Sequence, residues 1–213
     1  MKPTEESFLK DTSQHQMHVL RDDGVYRHVR FRQPGNCNMF FDIITYPNYL
    51  VYSGDMGCFV FSRLYDMFEF FRVRPRDDEP GRLHINLGYW AEKLEATDRP
   101  DGHKEYSADR FRRYVESRLE DFREAFAEEY EADDTSKFDA LKEAVDEEVL
   151  TYADDGDFQA HQVLDQFEHD GRRWFTDSWE AHFDEFTFRF VWCCYALAWS
   201  IQQYDAAKAK AAA

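Results

Sequence analysis

Histidines, cysteines and acids are the residues here that can do chemistry, and their spacing decides which chemistry is open to them. His15 and His18 stand three apart in a stretch with helix-like apolar spacing, which would present two imidazoles to one metal ion. No acidic third ligand follows at helical spacing, and His28 would have to complete the set from a strand. Surface or packing histidines are the simpler reading. The same holds for His161, His169 and His182, which lack a fixed ligand spacing. "ADDGD" at 153–157 has the composition of a calcium loop without its alternating ligands or its bidentate Glu. Asp154, Asp155 and Asp157 therefore read as an acidic turn that breaks a helix. "YSGDMG" at 52–57 is neither a nucleophile elbow nor a phosphate-binding loop. It joins two strand-like runs and reads as a hairpin turn.

The four cysteines are Cys37, Cys58, Cys193 and Cys194. None forms a CxxC, and the vicinal pair suits neither a structural disulfide nor zinc-ligand spacing. Cys58, in an aromatic strand-like run, reads as core and not as a nucleophile. With 43 acidic residues and no distances between them, no catalytic carboxylate pair can be picked out, so an enzyme has no residue set to rest on. No motif implies a cofactor or a bound metal.

The acids carry more information in their distribution. The formal net charge is −17, and between Leu119 and Asp170 19 Asp and Glu face only Arg123, Lys137 and Lys142, a local net of −16. Such a region repels nucleic acid and anionic membranes and attracts basic surfaces. Basic partners at i, i+4, which normally temper a charged helix face, are nearly missing. A row of helical carboxylates can imitate a DNA backbone, where phosphates recur about every 1.7 Å along the axis with both strands counted. Glu128, Glu129, Glu131, Asp133, Asp134, Glu143, Asp146, Glu147 and Glu148 are the contacts this reading selects. A merely solvated face is the common alternative. Adaptation to high salt would spread acidity along the chain instead of concentrating it.

These residues need elements to hold them. Residues 3–21 read as a first helix, with Thr4 or Ser7 as cap and Phe8, Leu9, Val19 and Leu20 on its apolar side. From Gly24 to Phe61 the period becomes two. "VYRHVRFR" sets Val25, Val29 and Phe31 against Tyr26, His28 and Arg30, and turn-sized links predict an antiparallel meander of three or four strands over about 24–61. "SRLYDMFEFFRV" then predicts a helix capped by Ser62, and "INLGYWAEKLEA" a shorter one carrying Trp90 and Leu94. After Ser107, Phe111, Val115, Leu119, Phe122, Phe126 and Tyr130 recur at helical spacing. Acidic helices follow over about 136–152 and 158–167, and a last helix from near Asp177 to Asp205.

That last helix contains "FRFVWCCYALAWSIQQYD", whose uninterrupted apolar run Phe190–Trp199 is too short for the roughly 20 residues of a membrane span. It reads as a buried central helix in which Arg189 needs a carboxylate partner. The expected fold is α+β: a small antiparallel meander packed by a mainly helical remainder, one domain over 1–205, with the Ala/Lys tail 206–213 frayed.

"EESFLKD", "HVLRDDGVYRHVRFRQPG", "YSGDMGCFVFSRLYDMFEFFR" and "FRFVWCCYALAWSIQQYD" together resemble a family of uncharacterised proteins encoded by tailed bacteriophages and prophages of Gram-negative bacteria. The resemblance covers the first 72 residues and the C-terminal helix, and the acidic middle only loosely. It carries over no catalytic or binding residue. It implies a host bacterial cytoplasm, which the polar N-terminus and sparse thiols also suit. It also implies an accessory role of the kind in which small acidic phage proteins inhibit host nucleases or defence complexes.

Two expectations follow. One is a non-enzymatic interaction protein whose acidic helical face docks on a basic host protein, binding no nucleic acid or membrane directly. The other is a protein that binds or cleaves a small nucleotide on its sheet face, Tyr26 stacking on a base and His28 and Arg30 meeting a phosphate.

Overall fold

The computed structural model describes residues 2–72, 82–99, 102–129 and 136–212, and the backbone alone for 125–129. The chain forms two compact units, one of residues 1–104 and 186–213 and one of residues 105–185. Each has its own apolar core, where the sequence led us to expect a single domain over 1–205.

The first unit opens on α1 (Glu5–Asp11), closed at its start by a capping box in which Thr4 Oγ1 accepts from Ser7 N and Ser7 Oγ accepts from Thr4 N. The helix stops ten residues short of expectation. Thr12 and Ser13 turn the chain by hydrogen bonds back to Phe8 and Lys10, and Gln16–Asp23 is a strand, β1. Phe8 is buried while Leu9, Val19 and Leu20 are exposed, so the supposed apolar stripe summed residues from two different elements.

Strands β2 (Tyr26–Arg32), β3 (Phe41–Tyr46), β4 (Tyr49–Gly54), β5 (Gly57–Ser62) and β6 (Leu94–Thr97) complete a six-stranded antiparallel meander in sequence order. It is wider than expected by β1 and β6, one at each edge. "SGDMG" is the β4–β5 hairpin. Gly54 is obligatory there, because a Cβ would meet Phe40 O at 2.2 Å. Helix α2 (Met67–Phe71) begins at Asp66, whose side chain accepts from Phe68 N, and not at Ser62, which ends β5. Helix α3 (Leu87–Ala91) carries Trp90 as expected, but Leu94 belongs to β6.

One sheet face, with Val29, Phe31, Phe41, Ile43, Tyr52 and Phe59, is fully buried beneath the C-terminal helix and its neighbours. Phe41 meets Trp192 at 5.6 Å, and Phe8 meets it at 4.9 Å, both edge-on, so large rings supply most of this core. That helix spans Phe188–Ala212. It starts later than expected because residues 178–180 form a 3-10 turn and 184–186 a strand. It also runs through the tail expected to fray. Alanine is the strongest helix former, and Lys208 Nζ holds Asp22 Oδ2 at 2.5 Å. Cys193 and Cys194 are buried free thiols. Arg189 is half-buried and forms no ion pair among the described residues, contrary to the expected carboxylate partner.

In the second unit, α4 (Ala108–Glu129) starts at Ser107, whose Oγ accepts from Arg110 N, and buries Phe111, Val115, Leu119 and Phe122 as its spacing predicted. Phe126 and Tyr130 lie outside the described side chains. Helix α5 (Ser136–Glu148) buries Leu141 and Val145. A 3-10 turn (Leu150–Tyr152) follows it and then α6 (Asp157–Gln166), which packs Ala160 and Leu164 inward. Two short strands, β7 (Lys104–Tyr106) and β10 (Asp184–Phe186), pair with each other. Between them in sequence a tight hairpin, β8 (Glu168–His169) and β9 (Arg172–Arg173), turns at Asp170-Gly171. The Phe188–Ala212 helix is α7.

Candidate functional site

Three places were marked by the sequence: the histidines and thiols, the outer sheet face, and the acidic helices. Among the described residues no group of three or more His, Cys, Asp or Glu side chains is placed to hold a metal ion. The loss of the long first helix removes the His15/His18 spacing. His15 lies in the turn after α1, its Nε2 2.9 Å from Met39 O, and His18 lies on β1 opposite Arg30. His161 is buried against Trp179 and Phe183. Burial pushes the Cys58 thiol up, with Asp98 adding to it, and pushes Cys193 and Cys194 up strongly. A nucleophilic thiol needs the opposite shift.

Tyr26, His28 and Arg30 do share the outer face of β2, as the alternation required. Asp42, on the neighbouring strand opposite Arg30, changes what they can do. Arg30 Nε and Nη2 donate to the two Asp42 carboxylate oxygens at 2.7 Å each, and His28 Nε2 lies 2.9 Å from Oδ2. Burial pushes the Asp42 carboxyl up, but the bonds from Arg30 and His28 together outweigh it and hold the group below its ordinary range. The fork that would have met a phosphate is thus occupied by a carboxylate, which would repel one. Tyr26 is exposed, with the Arg21 guanidinium 5.0 Å from its ring centre.

The acidic helices differ in kind. The unit of residues 105–185 holds 26 Asp and Glu against 9 Lys and Arg, the whole net charge of −17, while the other unit has 17 of each and is neutral. Some acids on its surface are paired: Asp154 with Arg112, Asp121 with Arg118, Glu120 with Arg123. Those of α5 are not. Glu143, Asp146, Glu147 and Glu148 are all exposed and form no ion pair among the described residues. With Asp139 they place five carboxylates in ten residues, about one per 3 Å of helix axis, close to the roughly 3.4 Å phosphate repeat of one DNA strand. Asp139, Glu143 and Glu147 stand at i, i+4 and i+8, where like charges destabilise a helix. Asp146, Glu147 and Glu148 crowd the last turn, where the helix dipole favours cations and α5 has none. Of the other selected acids, Glu128 and Glu129 lie in α4 without described side chains. Glu131, Asp133 and Asp134 fall outside the described residues.

The turn after α5 makes a second feature that the sequence did not signal. Tyr106 Oη donates to Ala153 O at 2.7 Å and pins the 3-10 turn. Burial, reinforced by the Asp157 carboxylate, pushes that phenol up to about 12, so it stays a donor. Gly156, at φ +100, then reverses the chain into α6, a conformation other residues rarely adopt. The reversal leaves an open groove of about 430 Å³ between the end of α5 and α6. It is lined by Glu147, Glu148 and Tyr152 on the α5 side and by Gln159, Val163, Gln166 and Phe167 on the α6 side. Gln159, Val163, Gln166 and Phe167 share one helical period at i, i+4, i+7 and i+8, but only packing brings Glu147, Glu148 and Tyr152 to them.

No known family model, curated protein or solved structure matches the chain. None of its described helices is long and apolar enough to cross a membrane.

Proposed function

We propose that this is a non-enzymatic interaction protein whose acidic helical unit docks on a basic, nucleic-acid-holding surface of a host protein and competes with nucleic acid for it. The observation that carries the reading is the row of exposed, unpaired carboxylates on α5, kept where both like-charge repulsion and the helix dipole oppose them. A surface that serves only solubility can intersperse both signs and avoid the like-charge repulsion that this row keeps. The phage-protein resemblance supplies the setting, a bacterial cytoplasm during infection. The engaged Arg30 gives the nucleotide reading no comparable support.

The test uses the full chain. Partners captured from bacterial lysate are identified, and each is then asked whether it releases bound duplex DNA when the chain is added. We expect displacement that weakens at least about tenfold between roughly 50 and 200 mM salt. The quadruple variant Glu143→Lys, Asp146→Lys, Glu147→Lys, Glu148→Lys should lose it. A partner that holds duplex and chain together, or binds the variant equally well, overturns the proposal.

A further inference from the structure

We propose that the groove between α5 and α6 is a receptor for an arginine side chain presented by the protein partner. The inference rests on the docking reading above and names the group that anchors it. Three properties of the groove select a guanidinium. Its lining offers the Glu147 and Glu148 carboxylates, neither in an ion pair among the described residues, and a carboxylate receives the guanidinium fork through two parallel hydrogen bonds. The ring of Tyr152, 40% exposed beside them, offers a face on which a planar cation stacks. From α6 the Gln159 and Gln166 carboxamides, which make no hydrogen bond among the described residues, supply acceptors for the remaining N–H groups. Val163 and Phe167 add apolar lining suited to the methylene stem.

Other occupants fit less well. An anion would meet two carboxylates, and an apolar side chain would leave them and both carboxamides desolvated without partners. A lysine ammonium is a compact point charge that lacks the planar face to stack on Tyr152 and the fork to pair with a carboxylate through two parallel bonds. The volume lies within the roughly 300–1,000 Å³ of ordinary ligand sites, and the open side leaves room for the backbone of a peptide. Arginine is also among the residues that most often anchor protein interfaces.

The probes are a short peptide with one central arginine and its lysine and citrulline counterparts, citrulline keeping the shape without the charge. They are titrated into the isotope-labelled full chain and followed by the side-chain amide signals of Gln159 and Gln166. The arginine peptide should shift these signals saturably, with the citrulline peptide weaker at least about tenfold and the lysine peptide intermediate. Glu147→Gln with Glu148→Gln should abolish the shifts, and Tyr152→Leu should remove the preference of arginine over lysine while keeping the preference over citrulline. Equal response to citrulline, or shifts spread evenly along the α5 acids with no change at Gln159 and Gln166, would overturn the groove. The two proposals fail separately. If the Glu147/Glu148 amide variant keeps partner capture while Glu143→Lys with Asp146→Lys loses it, the docking face stands and the groove falls. If the peptide binds as described but charge reversal leaves partner capture unchanged, the groove stands and the docking face falls.

Discussion

The two units use the same residue type in opposite ways. In the neutral unit, carboxylates are spent on the fold. Asp66 is bonded at both oxygens by Arg27, whose guanidinium lies 4.6 Å from the Phe68 ring centre. Asp205 takes the Arg72 fork, Asp22 joins Tyr204 and Lys208, and Asp42 holds Arg30 and His28. Each of these links residues distant in sequence. In the acidic unit the α5 carboxylates link nothing among the described residues, and an apolar core of its own holds the unit together. Charge that builds structure is paired and partly buried. The α5 charge, which we propose is kept for a partner, is exposed, unpaired among the described residues and set among like charges.

The largest contrast should appear in binding. Reversing Glu143, Asp146, Glu147 and Glu148 should weaken partner capture by at least about a hundredfold, as loss of several close charge pairs does elsewhere. Replacing Asp22 or Asp205 by Asn should leave capture unchanged. Stability should respond the other way round. Asp42→Ala leaves Arg30 and His28 without their shared partner and should destabilise the sheet by about 1–3 kcal/mol, read as faster hydrogen exchange in β2 and β3.

Acid should separate the units next. Asp42 and Asp66 are pushed up by burial but held lower still by their Arg partners, and Asp22 is lowered by Lys208 and then Tyr204. All three therefore bind a proton less readily folded than unfolded. Their stabilisation is complete above the ordinary value of 3.8 and is lost as pH falls through the depressed folded values. Exchange protection of β2 and β3 should fall steeply only below about pH 4. The smallest effect expected is a gain. Glu148→Lys, in the last turn of α5, should stabilise that helix by about 0.3–1 kcal/mol at low salt, visible as slower exchange of its final amides.

The split of charge between a neutral and an acidic stretch, though not the two units, was legible before the structure. The alternation in "VYRHVRFR" placed Val29 and Phe31 inward and His28 and Arg30 outward, and the spacing from Phe111 to Phe122 identified α4 and its buried face. Local patterns of that kind survive because one element satisfies them alone. Failures came where two elements shared one pattern. Phe8 and Val19 imitated a helix across the Thr12-Ser13 turn, and Leu94 and the residues after Asp177 were absorbed into helices that local hydrogen bonds end or delay. Asp42 was visible as an acid between Phe41 and Ile43, but its bond to Arg30 depends on the β2–β3 register. The groove was beyond reach, because Glu147, Glu148 and Tyr152 come to the Gln159–Phe167 face of α6 only through the reversal at Gly156.

The central claim is that the α5 acids are held for a partner at the expense of their own helix, and one charge-reversed chain tests it directly. With Glu143, Asp146, Glu147 and Glu148 all changed to Lys, exchange protection of α5 and displacement of duplex from the partner are measured on the same preparation. The account predicts equal or greater protection together with lost displacement. Retained displacement, or an α5 that unfolds when its acids are reversed, would contradict it.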